Sequence, residues 1–81
     1  MKYVVNEVSF GKFPHVNQSV GTQTFEQAVD VAAKLAMRQQ NSDSEEQVRK
    51  QLDLDGYYLP TKPDDWSVCI NEILDELISK T

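Results

Sequence analysis

The sequence predicts a small α+β domain: an antiparallel sheet of three to four short strands with two to three helices packed on one face. Three observations predict it. The chain opens on a run of β-branched and aromatic residues, its middle holds capped amphipathic stretches at helical spacing, and a glycine stop leads into a second aromatic stretch of β-type composition. With 81 residues, 40% of them hydrophobic, and only three Gly and three Pro, the chain reads as one folded domain spanning residues 1–81. No internal repeat or linker divides it.

The opening "MKYVVNEVSF" reads as a strand over about residues 2–10. Its alternation is imperfect. Val4, Val8 and Phe10 share one face with Lys2 and Asn6, and Tyr3 and Val5 share the other with Glu7 and Ser9. "GKFP" is a turn signal, because Gly11 tolerates positive φ and Pro14 has a fixed φ and no N–H. A strand over about 15–20, "HVNQSV", would complete a hairpin.

"TFEQAVDVAAKLAMRQQ" predicts a helix over about 24–40. Thr24 and Gln27 have the spacing of a capping box, each side chain satisfying a backbone N–H that the helix start orphans. Phe25, Val29, Ala32 and Ala36 recur at helical spacing, widened by Ala28, Ala33 and Leu35, while Glu26, Asp30, Lys34 and Arg38 line the opposite side. Asp30 and Lys34 form an i, i+4 pair. The four alanines predict a close approach to a sheet or another helix. A second helix over about 44–54 follows, capped by Ser42 with Glu45 or by Ser44 with Gln47, with Val48 and Leu52 inward and Gly56 as its stop.

"QLDLDGYYLPTK" raises the question of a calcium loop. Asp53, Asp55 and Gly56 match its third, fifth and sixth positions, but Gln51 and Lys62 stand where the first and twelfth ligands belong. The bidentate carboxylate is replaced by a cation, so a helix end is the expected reading. After it, "GYYLPTKPDDW" reads as a strand and turn leading to a strand over about 66–71, which passes into a helix over about 72–80. The rival is one helix from about residue 65, with Trp66, Ile70, Ile73, Leu74, Leu77 and Ile78 on one stripe.

Charge is divided unevenly along the chain. Residues 1–41 carry four bases against three acids (+1), and residues 42–81 four bases against ten acids (−6). A field of that sign repels phosphate backbones, so no direct nucleic-acid binding is expected. One cysteine, no leader pattern and no apolar run of about eighteen residues predict a cytoplasmic chain with no membrane span.

Chemistry-bearing residues are sparse, and no enzyme activity and no cofactor are expected. His15 is the sole histidine and has no nucleophile placed beside it by any motif, while Cys69 lies in an apolar run without a CxxC partner. Zinc needs about four N or S ligands and these two residues are the supply. Of the adjacent acids, Asp64 with Asp65 and Asp75 with Glu76, neither pair can converge on one substrate atom, because neighbours diverge on both helix and strand.

The aromatics Tyr57, Tyr58 and Trp66 are the candidate interaction residues, with core packing for Trp66 and one tyrosine as the plainer expectation. The first expected function is accordingly a non-enzymatic protein-interaction module, a homodimer, using a sheet edge or the tyrosine surface on a protein partner. The second is an acidic decoy in which Glu45, Glu46, Asp53, Asp55, Asp64, Asp65, Asp75 and Glu76 imitate nucleic-acid charge before a basic protein. A small enzyme or ligand-binding protein with a site at a dimer interface comes third.

Overall fold

The computed structural model describes residues 2–39, 43–60 and 65–73. In chain order it holds β1 (Tyr3–Ser9), β2 (His15–Thr22), α1 (Phe25–Arg38), α2 (Glu45–Asp55), β3 (Tyr57–Tyr58) and β4 (Trp66–Glu72). The four strands form one antiparallel sheet in the order β2-β1-β4-β3, and both helices pack on the same face. This is the expected α+β class.

Local chemistry places the helix ends. Thr24 accepts the Gln27 N–H while the Gln27 side chain accepts the Thr24 N–H, so the expected capping box is complete, and Ser44 with Gln47 supplies the second one. Such a cap is worth about 1 kcal/mol. α2 ends at Gly56, whose φ of 78° is left-handed and whose N–H bonds to the Leu52 carbonyl at 2.9 Å. Residues 51–55 are therefore helical, the helix-end reading of the calcium-like stretch. β2 runs to Thr22, two residues further than expected, and β4 runs to Glu72. The rival single helix from residue 65 is overturned, since 66–72 is strand; of the expected helix over 72–80, residue 72 is strand, residue 73 is neither helix nor strand, and 74–80 lie outside the described residues.

β1 and β4 form the middle of the sheet, paired from Tyr3↔Glu72 to Ser9↔Trp66. On β1 the inward face is the one bearing Tyr3 and Val5, with Glu7 beside them, and Val4 and Val8 face away from the helices. The core gathers Val5, Val68, Trp66 and Tyr58 from the sheet, Ala28, Ala32, Ala33, Leu35 and Ala36 from α1, and Val48 and Leu52 from α2. The four alanines are wholly buried. Their methyl groups let the α1 backbone lie close over β1 and β4, and Tyr3 closes one end edge-on to Phe25, with ring centroids 5.8 Å apart.

Candidate interaction surface

Placement within the sheet separates the three candidate aromatics. Tyr58 stands opposite Val68 on the helix side and is 1% exposed; Trp66 is 4% exposed and packs against it at a ring-centroid distance of 5.8 Å. Both rings close the core beneath the helices. Tyr57, one residue earlier, points the other way and is 47% exposed. Of the three it is the one whose ring is left exposed.

Burial and the neighbouring Asp43 carboxylate push the Tyr58 phenol well above its ordinary pKa, and the hydroxyl donates to Asp43 Oδ2 at 2.5 Å. The Trp66 indole Nε1 is buried, with no hydrogen-bond partner among the described residues.

Tyr57 belongs to a larger surface. Strand alternation and the observed register place Val4, Asn6 and Val8 of β1, Val16, Ser19 and Gly21 of β2, Ser67, Cys69 and Asn71 of β4 and Tyr57 of β3 on the face opposite α1 and α2. None of these strand residues is charged. The charged strand residues Glu7 and Glu72 are both on the helix side. One row runs from Tyr57 past Cys69 and Asn6 to Ser19, whose hydroxyl donates to Asn6 Oδ1 at 2.6 Å. A face of an antiparallel sheet that meets only water ordinarily carries polar and charged side chains. Interface centres are instead depleted of charge and enriched in tyrosine.

The strand at the side of this face, β2, is exposed over nearly all its length and forms one edge of the sheet. Its register against β1 shifts between Glu7 and Val8, which leaves Asn17 as an extra residue. Asn17 turns its amide toward β1, donating to Ser9 Oγ and, at 3.5 Å, to Glu7 Oε1. Beyond it the hairpin turn holds Phe10 and Phe13, 42% and 78% exposed.

An open groove of about 360 Å³ lies between α1 and α2, lined by Phe25, Glu26, Val29, Arg49, Lys50 and Asp53. Its Arg49 is engaged by carboxylates, with Asp30 at 2.7 Å and Glu45 at 3.2 Å, and Lys34 adds a 3.1 Å contact to Asp30. The Arg49 and Lys34 cations hold the Asp30 carboxyl below its ordinary pKa, and Asp30 and Glu45 raise that of Arg49. This is a cross-helix clamp; the groove brings no nucleophile and base together.

Of the acidic residues, Glu45 and Glu46 start α2, Asp53 and Asp55 end it, and Asp65 precedes β4; all five are exposed. The two pairs on α2 are eight residues apart, about 12 Å along a helix axis, and Glu45 is committed to Arg49. Asp64, Asp75 and Glu76 lie outside the described residues. His15 is exposed, with Nδ1 3.0 Å from the Phe13 carbonyl oxygen, and Cys69 is half-buried on the face opposite α1 and α2. Among the described residues, no three His, Cys, Asp or Glu side chains gather as a metal site, and no helix is long and apolar enough to cross a membrane.

Comparison of the chain with protein-family models, curated proteins and solved structures finds no match.

Proposed function

We propose that the protein is a non-enzymatic protein-interaction module that self-associates and meets its partner through the side of its sheet opposite α1 and α2, with Tyr57 as an anchor. The observation that carries this reading is the absence of charge from the strand residues of that face, in a chain where 26% of residues are charged. Covering these strand residues strands no charge among them, with Lys2 at the end of the face, and the exposed tyrosine ring supplies the amphipathic area that interface hot spots favour.

Tyr57→Ala tests it against the acidic-decoy alternative. The wild type, Tyr57→Ala, Asn6→Lys and the charge reversal Glu45→Lys/Glu46→Lys are each immobilised and exposed to host extract at about 50 and 500 mM salt, the upper value shortening the Debye length to a few ångströms. The expected result is a retained protein that survives high salt, is lost with Asn6→Lys, and binds Tyr57→Ala roughly 30-fold more weakly, the effect of a hot spot of about 2 kcal/mol. Retention that ignores both face variants, falls away with salt and vanishes on charge reversal would replace this reading with the decoy. Circular dichroism of each variant separates lost binding from lost fold.

A further inference from the structure

We infer that β2 is a dimerisation edge: two copies of the chain pair β2 with β2, antiparallel about a twofold axis at Val20, to make one continuous eight-stranded sheet. The inference rests on the self-associating reading above and names the strand, the occupant and the register.

The two edges of the sheet are unlike. β3 is two residues long and soon meets Pro60, so it offers little to a partner strand. β2 is eight residues long, and a strand at an edge leaves alternate N–H and C=O groups unpaired on its outer side. Proteins guard such edges with charge, proline, bulges or a covering element. β2 contains no Asp, Glu, Lys, Arg or Pro, and α1 lies chiefly over β1 and β4 rather than over it. Among the described residues the one guard is the bulge at Asn17, which leaves 18–22 as the regular stretch.

Parity then selects the register. Within 18–22, Gln18, Val20 and Thr22 face the helix side, and Ser19 and Gly21 face the free side. Residues opposed across an antiparallel pair share a face. A strand paired with its own copy about an axis perpendicular to the sheet must therefore set one residue against itself, and the centre of the regular stretch is Val20. Ser19 then opposes the partner's Gly21, and Gln18 the partner's Thr22. Val20 is half-buried in the single chain, the one such position in a strand otherwise exposed except at Thr22. The self-pair covers it with a β-branched neighbour.

Charge layout favours a second copy as the occupant. Neutral β2 meets neutral β2 without like-charge repulsion, whereas a charged partner strand would find no counter-charge there. The exposed acids of α2 sit with β3, three strand spacings from β2, and in the eight-stranded sheet the two β3 strands are seven spacings, about 34 Å, apart. That is several Debye lengths at physiological salt. Joining the copies at β3 would instead bring the acids together. An edge pair of five regular residues buries less than the ~1,200 Å² of a standard interface, so the dimer should be weak, with a Kd of tens of micromolar.

The test uses the full chain in a Cys69→Ser background. Val20→Cys at about 100 μM, a concentration that populates a dimer of this strength, should oxidise to an intermolecular disulfide, because directly opposed residues lie within about 5.5 Å. Gln18→Cys, about 14 Å from its own copy in this register at ~3.4 Å per residue, should not. In sedimentation equilibrium the wild type should show a rising average mass across that concentration, and Val20→Lys, which opposes two like charges at the axis, should stay monomeric. Self-association without the Val20→Cys crosslink and unmoved by Val20→Lys would overturn the β2 pair while leaving the self-associating reading standing. A wild type that remains monomeric at about 1 mM, the weakest affinity of interest, would overturn both the pair and self-association, leaving capture by another protein to the Tyr57 test. A faster crosslink at Gln18 than at Val20 would overturn the register.

Discussion

The hydroxyl of Tyr58 donates to the carboxylate of Asp43 across fifteen residues, tying a fully buried core ring to the segment that leads into α2. The bond gives the phenol a pH-dependent role in stability. Its folded-state pKa is raised, first by burial and then by Asp43, so the protonated form is favoured by folding. That stabilisation is complete below the ordinary tyrosine value near pH 10 and is lost as pH rises toward the folded value. Near neutral pH, Tyr58→Phe should cost about 1–3 kcal/mol through the missing hydrogen bond to a charged acceptor. The gap between wild type and variant in urea midpoint should close above about pH 10; a gap constant with pH would contradict it.

The clamp of Asp30 by Arg49 and Lys34 should respond to pH with the opposite sign. The Asp30 carboxyl is held below its ordinary value, chiefly by the hydrogen bond from Arg49, so its contribution is present above about pH 4 and disappears as pH falls through the lowered value. Asp30→Asn should remove that dependence. Because all three side chains are well exposed to solvent, the wild-type advantage in melting temperature should be small and shrink further in high salt. An advantage indifferent to salt would argue against an ion-pair origin.

Ala32 sits under α1 with no exposed surface, where a methyl group sets the spacing between helix and sheet. Ala32→Leu should cost about 1–3 kcal/mol by overpacking, and Leu52→Ala, in the equally buried core of α2, about 2–5 kcal/mol by leaving a cavity. Urea denaturation with unchanged slope checks both.

At Gly56 the constraint is the backbone. A Cβ would have room, its nearest neighbour being the Ile70 carbonyl oxygen at 4.0 Å, but φ is 78°. Gly56→Ala should therefore cost about 1–2 kcal/mol through left-handed strain, and Gly56→Asn less. Equal stabilities for the two variants would show that the cap tolerates any residue.

What the sequence determined by itself is what neighbours in the chain settle between themselves. Thr24 with Gln27, Ser44 with Gln47, the left-handed stop at Gly56 and the Asp30–Lys34 pair all join residues at most four apart, so their spacing carried enough information to read them. The β1–β2 hairpin was legible for a similar reason, through its turn residues. Part of the candidate surface was legible too, since Tyr57 and a sheet edge both stood out by residue type. Tertiary structure decided the rest. Both faces of β1 hold apolar residues, so alternation alone could not say that Tyr3 and Val5 would turn inward and Val4 and Val8 outward; burial under the alanine face of α1 made that choice. Tyr57 and Tyr58 are chemically identical neighbours, and only pairing with Cys69 and Val68 of β4 sends one out and one in. The central β1–β4 pairing, the Arg49–Asp30 clamp and the Tyr58–Asp43 bond each join residues at least fifteen positions apart. The face opposite the helices and the β2 edge follow from that pairing, because a surface assembled from four strands exists only once long-range packing has repaid the entropy of bringing them together.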